Sequence, residues 1–225
     1  KNVKWHDGKP FTADDVKFTY DAILDPKNAC PYVDSYKDIK EIKIIDDHTI
    51  QFVYKEPYAP ALLKLGMEIV PKHILEAKVI RESDFKRNPI GTGPYKFRRW
   101  KTDEYIILES NHDYFEHRSY IDKYVMRVIP DQAVQYLELV SFGIDSMGLT
   151  PYQYKYRTQT KRFEEQFNKY KYLSRSYTYI GYNLEAPFFK DKRVRQALSY
   201  AIDKKEIIDG VLMGLGESCT GPFLK

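Results

Sequence analysis

Residues 3–25 constrain the fold most, because a tight turn is followed there by a capped amphipathic helix. Asp7-Gly8 is a dipeptide typical of turns. Thr12 is placed as the N-cap of a helix, and Asp15 occupies the capping-box position three residues later. Apolar side chains then recur at helical spacing: Ala13, Val16, Tyr20 and Ile23. The pattern predicts an ordered turn and a helix that packs one face against a core and ends before the next proline.

Composition and charge narrow the class of protein. The chain has 225 residues, of which 43% are hydrophobic and 30% charged, and this is enough apolar material for a sizeable core. Its 36 basic and 32 acidic side chains are interspersed, without a lysine or arginine block that would track nucleic acid. No run approaches the roughly 18 apolar residues of a membrane-spanning helix. We expect a globular fold without a nucleic-acid partner, in a sequence that begins within a longer protein, since its first residues already belong to the ordered pattern.

Hydrophobic periodicity divides the rest of the chain into strands and helices. Alternating apolar residues predict a hairpin that turns at Asp46-Asp47, followed by two short helices that begin near prolines. A glycine-rich turn at residues 90–94 leads into three predicted strands, and Asp131 is placed to cap the next helix. Strands followed by helices favour an α/β architecture with mixed sheets. The clearest helical stripe lies near the C-terminus and is predicted to be buried: Val194, Leu198, Ala201 and Ile202.

Two short strings resemble sites of known chemistry but lack essential parts. The Gly-Thr-Gly-Pro turn begins like a dinucleotide fingerprint, but the third glycine is absent and Pro94 removes a backbone donor. His112 and His117 miss the spacing of a zinc-binding helix by one residue. No Ser-His-Asp or Cys-His arrangement can be assembled locally, so we predict a protein that is not an enzyme and has no cofactor or metal. For Cys30 and Cys219, a disulfide and two separate thiols both remain open.

Five strings together resemble the signatures of family 5 extracellular solute-binding proteins, the receptors of peptide- and nickel-type ABC importers. They occur in the family's order and span almost the entire chain. One departure is the string Phe-Gly-Ile-Asp at residues 142–145, where the family usually has SGEID. The strings are DG-x-P-x-TA-x-DV at residues 7–16, VPKHIL at 70–75, P-x-GTGPY at 89–95, N-x-DYF at 111–115 and D-x-RVRQALSYAID at 191–203.

The resemblance implies an α/β fold of the periplasmic-binding-protein-like II type, with two lobes that close over a ligand. By this resemblance, residues 1–88 are an extra subdomain of the first lobe and residues 89–177 are part of that lobe. Residues 178–225 are then the hinge strand and the first helices of the second lobe. Family members are considerably longer, so the N-terminal strand and most of the second lobe are expected outside this sequence.

The resemblance also implies a function. It predicts an extracytoplasmic receptor, periplasmic or lipid-anchored, that binds oligopeptides as a monomer and delivers them to the permease of an ABC importer. The family places ligand-facing side chains at positions that correspond here to Tyr32, Met67 and Glu68. Glu68 would accept a hydrogen bond from an amine or hydroxyl of the ligand, with a solvated loop acid as the alternative.

Other ligands and two other classes of protein remain as alternatives. An oligosaccharide receptor fits the 20 tyrosines of the chain, because aromatic faces suit a polar cleft. In nickel-type relatives an arginine near the position of Met67 and Glu68 helps to hold an anionic metal chelate, and this sequence has no arginine there. A hydrolase and a chaperone-like or adhesive surface protein are the alternatives from different classes.

Overall fold

The structure is a computed structural model that describes residues 2–173 and 176–221. The chain forms two compact units, Lys1–Val128 and Ile129–Lys225. The elements of the first unit are α1 (Ala13–Leu24), β1 (Ile39–Asp46), β2 (Thr49–Tyr54), α2 (Ala61–Lys64), α3 (Lys72–Leu75), β3 (Tyr95–Lys101), β4 (Tyr105–Ser110) and β5 (Lys123–Arg127). Those of the second unit are α4 (Gln132–Val140), α5 (Lys161–Gln166), α6 (Pro187–Lys190), α7 (Lys192–Ala201) and α8 (Lys204–Glu206). The three-part division implied by the resemblance remains a prediction.

The first core lies between helix α1 and the β1–β2 hairpin. The hairpin is antiparallel, and Ile42 lies opposite Phe52 as the alternation predicts. Tyr20, on the buried face of α1, has its ring 5.3 Å from that of Tyr36 and 4.9 Å from that of Phe52, both in edge-on geometry. Ile23, Ile39 and Ile42 complete this cluster of buried side chains. The prediction that α1 packs its apolar stripe against a core is therefore confirmed.

The second sheet of the first unit contains β3, β4 and β5 in that order. Both of its strand pairs are antiparallel, as is the β1–β2 pair. For the part of the chain that the structure describes, the prediction of mixed sheets is wrong. Short hairpin connections explain the β1–β2 and β3–β4 pairs, because a parallel pair needs a long crossover. The antiparallel pair of β4 and β5 is joined by the longer segment 111–122. The Arg87 guanidinium lies 3.9 Å above the Trp100 ring and attaches the preceding polar stretch to β3.

A buried carboxylate joins the N-terminal hairpin, whose ends are paired by a bridge between Lys4 and Pro10, to helices α1 and α3. Asp15 is only 4% exposed, and it accepts three hydrogen bonds. The Trp5 indole donates to Oδ2 over 3.2 Å, the Thr12 backbone N–H donates to the same oxygen over 3.0 Å, and the Lys72 backbone N–H donates to Oδ1 over 3.0 Å. Asp15 thus does more than complete the predicted capping box, because it also holds the N-terminal hairpin before α1 and the start of α3 after it.

The second unit has the predicted helix cap at Asp131 but not the predicted burial of the apolar stripe on α7. Asp131, Asp191 and Asp203 each accept a hydrogen bond from a backbone N–H in the first turn of the helix that follows. Helix α7, in contrast, has no buried residue, and Leu198 is 37% exposed. The predicted burial of its stripe is therefore wrong within this chain: Val194 and Ile202 are half-buried, and Leu198 and Ala201 are exposed. Periodicity shows which face of a helix is apolar, but not whether another element covers it.

Two leucines of the chain allow a direct test of this difference. Leu75 is completely buried, so Leu75→Ala should lower the free energy of unfolding of its unit by about 2–5 kcal/mol. Leu198→Ala should cost less than about 1 kcal/mol in its own unit, because the side chain already meets solvent. Urea denaturation followed by circular dichroism measures both. A loss of several kcal/mol from Leu198→Ala would show that its side chain is covered in solution.

The role of Asp15 can be tested against its neighbour Asp14. Asp15→Ala should cost about 3–5 kcal/mol, because three N–H donors would lose their acceptor in a buried site. Asp14 is exposed and pairs with the Lys72 ammonium over 3.0 Å, so Asp14→Ala should cost only about 0–1 kcal/mol. Equal losses in urea denaturation would contradict the assignment of Asp15 as the buried junction.

Candidate functional site

The segment that carries Met67 and Glu68 is fixed at both ends by α1. The Tyr20 hydroxyl donates a hydrogen bond of 2.7 Å to the carbonyl of Leu65. The Val70 N–H donates over 3.0 Å to the hydroxyl of Thr19, one residue earlier on the helix. Between these two anchors Met67 is half-buried and packs against the core cluster, while Glu68 is exposed. The segment is therefore short, anchored and open to solvent at its acidic residue.

The loop that carries Tyr32 is ordered by polar side chains near its start. Asp25 accepts a hydrogen bond from the Lys27 N–H and caps a 3₁₀ turn at Pro26–Asn28. Asn28 then donates to the carbonyl of Ala22 over 2.9 Å and accepts from the Ile80 N–H over 3.0 Å. These bonds tie the loop to α1 and to a later segment. Tyr32 lies farther along the loop, with 58% of its surface exposed.

Tyrosine hydroxyls and one carboxylate make up the polar part of this region. Burial, and then the nearby Cys30 thiol and Glu68 carboxylate, raise the pKa of the Tyr36 hydroxyl. Burial and the nearby Tyr36 raise the pKa of Tyr20 to about 12. Both phenols stay neutral near pH 7, so Glu68 supplies the formal negative charge beside them. No ion pair to Glu68 is found among the described residues, which leaves its carboxylate available to a donor.

Two further tyrosines extend the aromatic surface beyond the residues that the sequence predicted. The rings of Tyr54 and Tyr58 lie 5.7 Å apart. Burial and then the nearby Tyr58 and Tyr36 raise the pKa of the Tyr54 hydroxyl. Sequence reasoning missed both side chains, although the alternation of β2 already placed Tyr54 on the face shared with Phe52. Aromatic faces beside one carboxylate can bind a ligand that has both apolar and cationic or hydroxyl groups.

The three predicted site residues, Tyr32, Met67 and Glu68, are each connected with Tyr36 or its loop, but no single pocket of the described part of the chain contains them. Met67 packs on the cluster that contains Tyr36, and Glu68 is close enough to Tyr36 to affect its pKa. Tyr32 lies four residues before Tyr36 in the same loop. An open groove of about 630 Å³ lies instead in the second unit, between α4 and α5, and none of the three predicted residues lines it. The assignment of Tyr32, Met67 and Glu68 as ligand contacts therefore stays a prediction.

The structure also bears on the other features that the sequence raised: a metal site, the two cysteines, a membrane span and the Gly-Thr-Gly-Pro turn. Within residues 2–173 and 176–221, no group of three or more His, Cys, Asp or Glu side chains is arranged to hold a metal ion. Cys30 and Cys219 are both free thiols. None of the described helices is both long and apolar enough to cross a membrane. The Gly-Thr-Gly-Pro turn is contacted by the ring of His6, whose two nitrogens form hydrogen bonds with its backbone.

Comparison with known proteins identifies the family to which this chain belongs. The family described as "Bacterial extracellular solute-binding proteins, family 5 Middle" matches residues 1–225. The chain therefore belongs to family 5 of the bacterial extracellular solute-binding proteins, and the predicted resemblance is confirmed. This is a family of binding proteins rather than of enzymes.

Two solved structures and two curated proteins illustrate the similarity. NikZ from Campylobacter jejuni in complex with Ni(L-His) is 33% identical, with a TM-score of 0.90 over 98% of this chain and 44% of that one. The oligopeptide-binding protein AppA from Bacillus subtilis, solved with a nonapeptide, is 37% identical, with a TM-score of 0.84 over 97% of this chain and 44% of that one. The curated AppA sequence is 40% identical over 96% of this chain and 40% of its own length. Heme-binding protein A of Haemophilus influenzae is 32% identical over 99% of this chain and 44% of its own length.

These comparisons confirm the predicted fold class, an α/β fold of the periplasmic-binding-protein-like II type. The chain spans about two fifths of the length of the curated relatives that it matches. The names of those relatives include peptide-binding, heme-binding and nickel-bound proteins, so family membership alone does not define one ligand.

The anchoring of the Met67–Glu68 segment can be tested at Tyr20. Tyr20→Phe keeps the buried ring but removes the hydrogen bond to the Leu65 carbonyl, so we expect a loss of about 0.5–1.5 kcal/mol in the free energy of unfolding at neutral pH. Tyr36→Phe is the matched control, because Tyr36 is a tyrosine of the same buried cluster and its hydroxyl has no hydrogen bond among the described residues. Urea denaturation of both variants measures the difference. An equal loss in the two variants would contradict a specific role for the Tyr20 hydroxyl.

Proposed function

We propose that this chain is part of an extracytoplasmic solute receptor of an ABC importer and that its ligands are oligopeptides. The observation that carries the proposal is the family match over all 225 residues. Similarity to a nonapeptide-bound oligopeptide-binding protein, at 37% identity and a TM-score of 0.84, favours peptides among the ligands of the family. Several further curated relatives, 31% identical to this chain, are named as peptide-binding proteins of ABC transporters.

The proposed mechanism is binding and delivery without chemical conversion of the ligand. Residues 1–88 form an extra subdomain of the first lobe, residues 89–177 belong to that lobe, and residues 178–225 begin the second lobe. The lobes close over the peptide, and the closed receptor presents it to the membrane permease. The receptor acts as a monomer on the extracytoplasmic side of the membrane, in the periplasm or attached by a lipid.

Three side chains are proposed as ligand contacts of the first lobe. Glu68 accepts a hydrogen bond from an amine of the peptide, because its carboxylate is exposed beside neutral tyrosines. Met67 offers a polarizable apolar surface next to it, and unbranched thioether side chains adapt to ligands of different shape. Tyr32 adds an exposed aromatic face. This combination suits a receptor that accepts peptides of varied sequence.

A metal chelate is the second candidate ligand. It is favoured by the TM-score of 0.90 with the Ni(L-His) complex. The residues themselves favour peptide, since an exposed carboxylate without a neighbouring arginine repels an anionic chelate. Calorimetry with a nickel–histidine complex and with peptides therefore distinguishes the two ligands. Turnover of a peptide or glycoside, abolished by a single substitution, would instead support a hydrolase.

The role of Glu68 can be tested in the intact receptor by isothermal titration calorimetry. Glu68→Gln should weaken the binding of a peptide with a free amino group by about tenfold or more, because a charge-assisted hydrogen bond is replaced by a neutral one. For the same peptide with its amino groups acetylated, Glu68→Gln should change the affinity little. Glu76→Gln is the control, because Glu76 is an exposed carboxylate that follows α3 and lies outside the proposed site. Equal affinities for wild type and Glu68→Gln would remove Glu68 from the site but leave the receptor function intact.

A further inference from the structure

His6 joins two parts of the first unit that are far apart in the sequence. It lies in the N-terminal hairpin, whose ends are paired by a bridge between Lys4 and Pro10. Its ring meets the turn that leads into β3, 85 residues later. The backbone N–H of Gly91 donates to Nδ1 over 3.0 Å, and Nε2 lies 3.1 Å from the carbonyl oxygen of Gly93. A backbone hydrogen bond of 2.9 Å from the His6 N–H to the Gly91 carbonyl completes the contact.

These contacts define the protonation state of the ring. A backbone N–H can only donate, so Nδ1 must be the acceptor and carries no proton. A carbonyl oxygen can only accept, so Nε2 must carry the proton. The same Gly93 carbonyl also accepts a hydrogen bond of 3.0 Å from the side-chain amide of Asn111, which is only 3% exposed. The arrangement therefore accepts only the neutral imidazole with its proton on Nε2.

Protonation of His6 would place two donors against each other. The new proton on Nδ1 would point at the N–H of Gly91, and the hydrogen bond between these atoms would be lost. The charged groups that act on the ring are Lys96, on β3, and Asp7, the next residue in the hairpin. Lys96 lies 3.6 Å from the carboxylate of Asp113, and Asp7 lies 2.7 Å from Nε2 of His73, so each has its own partner.

We propose that His6 is a pH-sensitive clip, which attaches the N-terminal hairpin to the turn before β3 at neutral pH and weakens this attachment in mild acid. The hairpin stays attached to α1 through the hydrogen bond from the Trp5 indole to Asp15, because His6 takes no part in that contact. Acid therefore loosens one specific contact rather than the whole hairpin. An extracytoplasmic protein meets changes in external pH directly, and the clip would make the path of the chain into β3 respond to them.

The direction of the pH effect follows from the environment of the ring. Burial foremost, with Lys96 adding to it, lowers the pKa of His6 below its ordinary value of 6.5, against the opposing effects of the Gly93 hydrogen bond and Asp7. The folded chain thus binds the proton less readily than the unfolded chain does. The stabilisation from the neutral ring is complete above about pH 6.5 and is lost as the pH falls through the lower pKa of the folded state.

The ring of the wild-type chain can be examined directly by NMR after labelling of histidine and glycine with ¹⁵N. At pH 7.5 we expect His6 to show an unprotonated Nδ1 and a protonated Nε2, and its titration midpoint should lie below 6.5. The amide resonance of Gly91 should shift with the same midpoint, because that N–H is the donor to the ring. The opposite tautomer, a midpoint at or above 6.5, or a Gly91 resonance that does not follow His6 would each overturn the proposal.

A second test uses a residue that cannot titrate. His6→Asn retains an acceptor near the position of Nδ1, so the variant should fold at pH 7.5 with a urea midpoint modestly below that of wild type. Between pH 7.5 and pH 5.0 the midpoint of wild type should fall more than that of His6→Asn, so that the two values converge. His48→Asn, which removes an exposed histidine from the β1–β2 turn, is the control and should follow wild type. A difference between wild type and His6→Asn that is the same at both pH values would show that the ring is only structural, and would overturn the proposal.

Discussion

The buried carboxylate of Asp15 is the interaction on which the first unit depends. Its two oxygens accept hydrogen bonds from the N-terminal hairpin, from the N-cap residue of α1 and from the start of α3. Such a group is costly to bury unless all its acceptors are used, and here the use of these acceptors fixes three segments at once. The hairpin has two further attachments, because His6 contacts the turn before β3 and Asp7 contacts His73 at α3. Three consecutive side chains of the hairpin thus reach three different parts of the unit.

The same helix positions the region proposed to meet the ligand. The buried face of α1 supplies Tyr20, whose ring packs in the core and whose hydroxyl bonds to the carbonyl of Leu65. Thr19 bonds to the backbone at Val70, so the intervening residues are presented between two fixed points. Side chains on an anchored loop can face solvent without losing their position, and this is what a binding surface requires. Met67 and Glu68 occupy this part of the chain.

The family and the fold class could be predicted from the sequence, but the ligand and part of the candidate site could not. The family was recognisable because its strings recur in order along the whole chain, and the fold class followed from the family. The ligand did not follow, because relatives named for peptide, heme and nickel binding have similar identity to this chain. Tyr54 and Tyr58 entered the candidate surface only with the structure, since the alternation of β2 placed Tyr54 on the face of Phe52 but gave no sign that Tyr58 lies beside it. Which side chains become neighbours in the fold depends on tertiary packing, and a short sequence motif does not contain that information.

The sequence by itself determined the features that depend on near neighbours. The capping box of Thr12 and Asp15, the cap at Asp131 and the turn around Asp46 could be predicted, because each involves hydrogen bonds or periodicity within a few residues. Only the tertiary structure decided that the stripe of α7 is exposed and that His6 must be neutral. The state of the His6 ring depends on backbone groups 85 and 87 residues away, and the exposure of a helix face depends on which elements lie against it. Both are properties of contacts between distant segments, and local pattern carries no information about them.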